Sequence, residues 1–338
     1  MTVINLMMKP LVYPLILLMI FGCMEPNTEN LWTLNPVAKV ETKGYCRDVF
    51  IIGDSVFVAA GQAGVQLWDI SIITAPELIW EKSLSDLGVI KEISQVEYES
   101  EIQQLFALEN NERPIHIDLS KGDTATVVGQ FSSEKTKEFR VVTNSANSFT
   151  VYAADNDDGL KISTFEYDSS FGLWFNTVGD EIISVGNPNG IDMYENVIVL
   201  TLDQLGFEVF HNQNGVITSS YHIDLEGNAR SVTMTSGEEM YVACEEAGAY
   251  GIWSGATIGD VETKTQFAKD LFVTHVAVNG DQIVISCASN GLALYKRESN
   301  KPADRGIHDI GYVYHTEFAS GYLFAATREG LQIFEIEE

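Results

Sequence analysis

The sequence predicts an all-β protein, a seven-bladed β-propeller whose ring is closed by an N-terminal strand. One pattern of strand, turn, strand, glycine-bearing loop and strand occurs seven times, and its copies begin about 40 to 50 residues apart. This is the size of a four-stranded blade. Of the 338 residues, 45% are hydrophobic and 27 are glycine, which is typical of packed strands and turns. The last copy lacks a fourth strand, and the segment before the first copy lacks inner strands.

Each copy supplies three strands. In the first copy, Val56 and Val58 alternate with other residues, as do Val65 and Leu67 in the following strand. This period of two predicts strands with one buried face. The seven copies span residues 48–70, 94–119, 140–165, 190–211, 231–253, 275–296 and 315–336.

The stretches between copies predict the outer, more polar fourth strand of each blade, as at 77–84, 125–131 and 261–267. The seventh copy ends with the chain, so its fourth strand must come from elsewhere. Residues 31–42 (LWTLNPVAKVET) can supply it. We therefore expect one propeller domain over 31–338, closed by this segment, which removes the open edges that invite aggregation.

The first 22 residues predict an export signal. An apolar run over 11–22 follows Lys9 and is shorter than the roughly 20 residues that a permanent membrane helix needs. Ile20-Phe21-Gly22-Cys23 resembles a bacterial lipobox, which implies cleavage before Cys23, acylation of Cys23 with palmitate-type chains, and a short tether over 23–30. An ordinary cleaved signal and an uncleaved anchor are the alternatives, since Phe21 stands where a small residue is usual.

Location and charge restrict the partners. Met24, rather than an aspartate, follows Cys23, and by resemblance to known sorting rules this favours the outer membrane of a bacterial cell envelope. The net charge of −28 excludes nucleic acid, because a polyanion would be repelled and no basic patch exists to release counterions. We expect a monomer held at the membrane by lipid.

The first copy also carries a family resemblance. Val58-Ala59-Ala60-Gly61 and Gly64-Val65-Gln66-Leu67-Trp68-Asp69-Ile70-Ser71 resemble the LVIVD repeat of bacterial surface propellers, and 159–162, 291–294 and 330–333 keep parts of it. Only the first copy has the Asp-Ile-Ser ending. The resemblance implies a propeller and says little about activity, because the family is largely without assigned chemistry.

Polar and aromatic residues near the start of the innermost strands predict a ligand pocket at the channel mouth, for an anionic or sugar-like ligand. Structural hydrogen bonding between blades is the alternative reading of the same residues. Two histidines without a third ligand do not predict a zinc site. The candidate ligand-binding residues are Tyr45, Arg47, Asp48, Arg140, Arg230, His275, Tyr314 and His315, with Tyr312 beside them.

The loops joining the second and third strands predict an acidic rim on the same face. The rim could capture a cation or a basic peptide, but a solvated surface on an acidic protein is the favoured reading. Calcium is only weakly indicated, because Asp155-Asn156-Asp157-Asp158-Gly159 lacks the spacing of a calcium loop. No cofactor or metal is predicted. The rim residues are Glu109, Asp155, Asp157, Asp203, Glu245 and Glu329.

Three cysteines remain besides Cys23. Cys244 and Cys287 occupy equivalent positions in adjacent copies, where buried small residues are favoured over a disulfide. Cys46 has no catalytic partner that the sequence identifies.

The sequence contains no nucleophile elbow, phosphate loop or zinc-protease helix. The favoured function is therefore a membrane-anchored binding or scaffold module of the cell envelope, with a ligand or partner protein on the channel face. An envelope hydrolase at the channel mouth is the alternative, and whether the protein is an enzyme stays open with a binding role favoured. Regulation of an envelope complex is a third possibility.

Overall fold

The computed structural model describes residues 30–338 except 121, 123–125, 132, 255–260 and 300. These residues form seven four-stranded antiparallel sheets, so the predicted seven-bladed propeller is confirmed. Residues 1–29, which hold the predicted signal peptide and Cys23, lie outside the described residues. No helix within the described part of the chain is long and apolar enough to cross a bilayer.

Blades 1 to 6 each contain four consecutive strands, and blade 7 contains the last three strands together with the first. The strands are β1 (Thr33–Val40); β2 (Asp48–Ile52), β3 (Ser55–Ala59), β4 (Val65–Asp69) and β5 (Glu77–Lys82); β6 (Ile93–Glu99), β7 (Gln104–Glu109), β8 (Pro114–Asp118) and β9 (Thr126–Gln130); β10 (Thr136–Ser145), β11 (Ser148–Asp155), β12 (Gly159–Asp168) and β13 (Leu173–Ile182); β14 (Gly190–Tyr194), β15 (Val197–Thr201), β16 (Phe207–Gln213) and β17 (Val216–Ile223); β18 (Ser231–Ser236), β19 (Glu239–Ala243), β20 (Ala249–Ser254) and β21 (Val261–Phe267); β22 (His275–Asn279), β23 (Gln282–Ser286), β24 (Leu292–Glu298) and β25 (Lys301–His308); β26 (Val313–Ala319), β27 (Tyr322–Thr327) and β28 (Gly330–Glu337). A short helix, α1 (Leu84–Leu87), capped by Ser83, joins blades 1 and 2.

The second strand of each blade is buried on both faces. In β15, for example, all five residues of VIVLT are buried, because each blade packs between two neighbours. The period-two expectation of one buried face is therefore wrong for these strands, whose apolar runs are continuous. The core consists of clusters at the blade interfaces, such as the one that joins Val49 and Val58 of blade 1 to Phe324 and Ile333 of blade 7.

The repeated glycine has a steric cause. Gly64 precedes β4 at φ 90°, and a Cβ placed there would lie 2.0 Å from the carbonyl oxygen of Lys82 at the end of β5. Gly330 repeats this arrangement in blade 7, where the carbonyl is that of Val40 at the end of β1. Only glycine permits this approach and this backbone conformation.

Both ends of the described chain meet in blade 7. Strand β1 pairs antiparallel with β28, from Thr33 opposite Glu337 to Val40 opposite Leu331. Trp32, Leu34 and Val40 are buried in the adjoining apolar clusters. The first strand thus occupies the fourth position of the blade.

Strand direction defines two faces of the ring. The innermost strands begin at one face, where the loops between blades also lie, and we call it the mouth face. The hairpins that join strands one to two and three to four lie on the other, which we call the hairpin face. Since β1 takes the fourth position, its first residue, Thr33, lies at the hairpin face.

Candidate functional site

A cavity of about 790 Å³ opens at the mouth face and follows the innermost strands into the channel. The structure brings seven of the eight predicted ligand-binding residues to its lining, and these are Arg47, Asp48, Arg140, Arg230, His275, Tyr314 and His315. Tyr45 lies outside the lining but close to Tyr314, with ring centroids 6.5 Å apart. Four basic side chains line the cavity beside six carboxylates, so the cavity is far less acidic than the chain as a whole.

Three tyrosines and two arginines form an interleaved group at the rim of the cavity, which we call the mouth cluster (Tyr45, Arg47, Tyr312, Tyr314 and Arg328). The guanidinium of Arg47 lies 4.3 Å from the ring centre of Tyr314. That of Arg328 lies 4.6 Å from Tyr312 and 5.5 Å from Tyr45. These distances are those of cation–π contacts. The faces of the tyrosines are therefore used by arginine, while Tyr45 stays half exposed to solvent.

The two arginines differ in their carboxylate partners. Arg47 forms an ion pair with Glu92 at 2.5 Å. Arg328 is exposed, and within the described residues its side chain contacts tyrosines. Its charge is therefore available to a ligand that carries a carboxylate or another anion.

Deeper in the channel, Arg140 is the centre of an ion-pair network. Its guanidinium lies 3.0 Å from Asp192 and 3.0 Å from Glu138, and the carboxyl of Glu97 lies nearby. Burial disfavours the charged guanidinium, but these carboxylates outweigh it and raise the pKa of Arg140. Arg140 therefore stays charged and pairs with both Glu138 and Asp192.

Two histidines meet beside this network. The ring centroids of His275 and His315 are 4.0 Å apart, and Nδ1 of His315 lies 2.9 Å from Oδ1 of Asp48. This contact is an ion pair when His315 is protonated. Burial opposes protonation of His315, but Asp48 outweighs it and raises the pKa of His315. Burial and the neighbouring His315 lower the pKa of His275.

The channel carboxylates also form hydrogen bonds between neighbouring blades. Each innermost strand pairs with only one neighbour, so its inner edge leaves backbone groups without partners. Side chains of one blade satisfy these groups on the next. Backbone N–H groups donate to acidic side chains in the pairs Val96 to Asp48 (3.0 Å), Val141 to Glu97 (2.9 Å), Ile191 to Glu138 (3.1 Å) and Met234 to Asp192 (2.7 Å).

Blades 5 to 7 use hydroxyl groups instead. Ser231 donates to the carbonyl of Thr274 at 2.9 Å, and Thr233 donates to that of Val276 at 2.6 Å. Between blades 6 and 7, the hydroxyls of Ser286 and Thr316 lie 3.2 Å apart. The predicted alternative of structural hydrogen bonding between blades is therefore present in the same channel as the cavity.

Burial changes the titration of two channel carboxyls. It raises the pKa of Glu97 to about 8, against the lowering effect of Arg140. It also raises the pKa of Glu317 to about 8, against that of His315. Both groups are therefore protonated in a large fraction of molecules near neutral pH.

Sequence reasoning missed Glu97, Glu138, Asp192, Glu317 and Arg328. The first four lie on innermost strands. Glu97, Glu138 and Glu317 each lie two positions from another residue that lines the cavity. Extending the period of two along each innermost strand finds Glu97, Glu138 and Glu317 from Gln95, Arg140 and His315. Arg328 carries no such signal, because its loop position becomes meaningful only once blade 7 stands beside blade 1.

The predicted acidic rim does not behave as one surface. Glu109 and Asp155 are buried, and each accepts two backbone N–H groups from the preceding inter-blade loop. The solvated-surface reading is wrong for these two. The others have separate surroundings: Asp157 pairs with Lys135, Glu245 with Arg230, Glu329 with Lys39, and Asp203 bridges to Ala229 through its backbone.

No group of three or more potential metal ligands occurs among the described residues. Cys46, Cys244 and Cys287 are buried free thiols. Burial raises the pKa of Cys244 and of Cys287 to about 12 each, which makes both thiols poor nucleophiles.

No protein-family model matches the sequence, and no curated protein matches it. Solved structures share its fold. The WD40 repeats of RRP9 superimpose with a TM-score of 0.69 at 9% identity, over 90% of this chain and 100% of that one. The β-propeller domain of Cps50 (Swd1) from Myceliophteria thermophila gives 0.67 at 15% identity, over 90% and 99%. The computationally designed Ika8 protein gives 0.60 at 10%, over 89% and 99%. At these identities the likeness establishes the fold alone, and the chain is a seven-bladed β-propeller.

Proposed function

We propose that the protein is a lipid-anchored binding module of the bacterial cell envelope, in which the channel-mouth cavity holds an anionic or sugar-like ligand or an acidic segment of a partner protein. The observation that carries this proposal is the mouth cluster. In a chain with a net charge of −28, two arginines and three tyrosines converge on the rim of one cavity.

The chemistry of the mouth cluster favours a ligand with a flat or apolar part and a negative group. The half-exposed ring of Tyr45 supplies contact area at a low cost in conformational entropy, together with a hydroxyl. Within the described residues, the guanidinium of Arg328 contacts tyrosines. A guanidinium fork binds carboxylates and other oxyanions through two parallel hydrogen bonds.

The anchoring part of the proposal rests on the sequence. The apolar run over 11–22 and the segment that ends in Cys23 support export and acylation. Several acyl chains on one cysteine hold a protein firmly, since each buried methylene contributes about 0.8 kcal/mol. The resemblance to LVIVD-repeat propellers supports the same setting at the outer membrane.

The cavity is tested by site-specific photo-crosslinking in intact cells. A photoreactive residue at position 45, in the mouth cluster, should give a defined adduct with a partner protein. The same residue at position 307, which is exposed on the outer strand β25, serves as the control. Equal adduct patterns at both positions would contradict the proposal for a protein partner.

A small ligand is tested by the thermal shift of the full chain in panels of carboxylates, phosphates and oligosaccharides. Arg328→Ala should abolish the shift that a ligand gives. Lys301→Ala removes an exposed cation at the hairpin face and should leave the shift unchanged. A calcium titration in the same panel tests whether the acidic rim binds a cation.

The anchor is tested by metabolic labelling with a palmitate analogue. The natural chain should take up the label and sediment with membranes, and Cys23→Ala should lose both properties. Uptake of label by Cys23→Ala would place the acyl chain elsewhere.

Hydrolysis is the second candidate function. It is favoured by the contact of Asp48 with His315 and by the protonated Glu317 beside it, because an acid and a base of different pKa in one cavity can serve as a catalytic pair. Turnover of ester, glycoside or peptide substrates that is lost in Glu317→Gln would support it.

A further inference from the structure

Blade 3 carries a long hairpin with an exposed aromatic end. Its strands β12 and β13 contain ten residues each, whereas most strands of the ring contain five to eight. Near the turn, Phe171 is 73% exposed, Leu173 is 50% exposed and Phe175 is 44% exposed, and Tyr167 is exposed as well. The rings of Phe171 and Phe175 lie 6.2 Å apart. We call these four residues the hairpin patch.

The hairpin patch lies on the hairpin face, because it surrounds the connection between the third and fourth strands of its blade. Strand β1 begins at the same face with Thr33. Blades 3 and 7 are three or four places apart in the ring, so the patch and the start of β1 lie on opposite sides of that face. Blade 4 adds exposed apolar residues there, Tyr194 and Val216.

We propose that the hairpin patch inserts into the interfacial region of the lipid bilayer and lays the hairpin face against the membrane. This inference rests on the proposed lipid anchor, which supplies the other point of attachment. With both points in contact, the cavity mouth faces away from the membrane, toward soluble or protein-borne ligands.

Chain length and charge identify the occupant as a bilayer. Seven residues separate Cys23 from Leu31, and an extended chain spans at most about 3.6 Å per residue, so an acylated Cys23 keeps the start of β1, at one side of the hairpin face, within about 30 Å of the lipid. Aromatic side chains favour the membrane interface. The acidic chain is repelled by anionic headgroups, so the patch fits a zwitterionic surface through apolar contact.

The test uses an environment-sensitive fluorophore on the full, acylated chain in phosphatidylcholine vesicles. Ser169→Cys places it at the hairpin turn, and Ser289→Cys places it in an exposed loop of the mouth face. The remaining cysteines outside the anchor are buried. We expect a blue shift and quenching by brominated lipid at position 169 and neither at position 289. Replacing Phe171, Leu173 and Phe175 by serine should abolish the shift, while unchanged thermal stability shows that the blade is intact.

The proposed lipid anchor and the proposed insertion of the hairpin patch can be tested separately. If the acylated chain does not float with vesicles, the proposed anchor is wrong, and the same labels are then read on the chain from residue 24 onward, held to nickel-chelating vesicles by an N-terminal histidine tag. A blue shift at 169 in that setting supports the proposal. No shift at 169 on vesicles to which the protein is bound overturns it, and a shift that requires added membrane protein assigns the patch to a protein partner instead.

Discussion

The channel contains two kinds of contact between neighbouring blades, and they differ in charge. From blade 1 to blade 5, carboxylates accept hydrogen bonds from backbone N–H groups of the next blade, as Glu97 does from Val141. From blade 5 to blade 7, hydroxyls serve, as Thr233 does when it donates to the carbonyl of Val276. Both solve the same problem of an unpaired inner edge. Only the carboxylates titrate and require a counter-charge.

The difference explains the arrangement of charge in the cavity. Arg140 stands in the carboxylate sector, where it pairs with Glu138 and Asp192. The hydroxyl sector has no such requirement. The contacts from blade 1 to blade 5 are therefore charged and those from blade 5 to blade 7 are neutral, although the titrating residues His275, His315 and Glu317 also belong to blades 6 and 7.

The largest expected effect tests whether the contacts between blades keep the ring folded in the absence of β1. Replacing residues 31–42 by a glycine–serine linker of equal length removes β1 and the burial of Trp32, Leu34 and Val40. At about 1.5 to 3 kcal/mol for each of these three side chains, the expected loss of unfolding free energy is about 4.5 to 9 kcal/mol. Denaturant unfolding followed by tryptophan fluorescence measures it.

Lys39→Ala is the control for this replacement, because it keeps β1 and removes only an exposed ion pair with Glu329. It should change the unfolding free energy by less than about 1 kcal/mol. An unaltered denaturation midpoint for the linker variant would show that contacts between blades suffice and that β1 does not close the ring.

The next effect compares two arginines in one cavity. Arg140→Ala leaves the partly buried carboxylates of Glu138 and Asp192 without their cation and should cost up to about 3 kcal/mol. Arg230→Ala removes an arginine that is half exposed and pairs with Glu245, and it should cost less than about 1 kcal/mol. Similar losses of unfolding free energy in the two variants would show that the ion pairs of Arg140 stabilise the protein no more than the ion pair of Arg230 at the rim does.

The fold was predictable because its signals are local and repeated. Gly64 and Gly330 mark the starts of third strands through a clash that recurs around the ring. The continuous burial of β15 was not predictable from alternation in the first copy, since it depends on neighbours on both sides. The tertiary environment, rather than strand propensity, determines which faces are buried.

The candidate site was predictable in part. Residues near the start of innermost strands, such as Arg140 and His315, converge because all innermost strands begin at one face. The role of Glu109 was not predictable, since an acidic loop residue gives no sign that two backbone N–H groups will surround it. The pairings between blades named above join residues 30 to 53 positions apart, and no local pattern encodes their partners.

A smaller effect tests the titration of two channel carboxyls, Glu97 of the carboxylate sector and Glu317 of blade 7. Glu97 faces Arg140, Glu99 and Asp192, while Glu317 faces His315, Asp48 and Arg140. The pKa of each is about 8 in the folded protein and near 4.5 in the unfolded chain. Between these values the folded state holds protons that the unfolded state has lost, so stability falls as pH rises through this window, by at most about 1.4 kcal/mol per pH unit for each group.

Glu97→Gln keeps an oxygen for the N–H of Val141 and does not titrate, so its unfolding free energy should fall less steeply with pH than that of the natural protein. Glu317→Gln should act in the same direction. His315, whose pKa is raised, contributes stability below its unfolded value of about 6.5 that is lost as pH rises through its folded pKa. His275, whose pKa is lowered, has the opposite slope at acid pH. Parallel pH profiles for Glu97→Gln and the natural protein would contradict a raised pKa at Glu97.

The smallest effect belongs to the hydroxyl sector. Thr233→Val keeps the shape of the side chain and removes the hydroxyl that donates to the carbonyl of Val276 at 2.6 Å. The loss of one neutral hydrogen bond should cost about 1 kcal/mol, and the cost should be the same at pH 5 and pH 9 because no titrating group takes part. A cost that varies with pH as that of Glu97→Gln does would mean that the two sectors share one electrostatic network, and the distinction between charged and neutral contacts of neighbouring blades would be wrong.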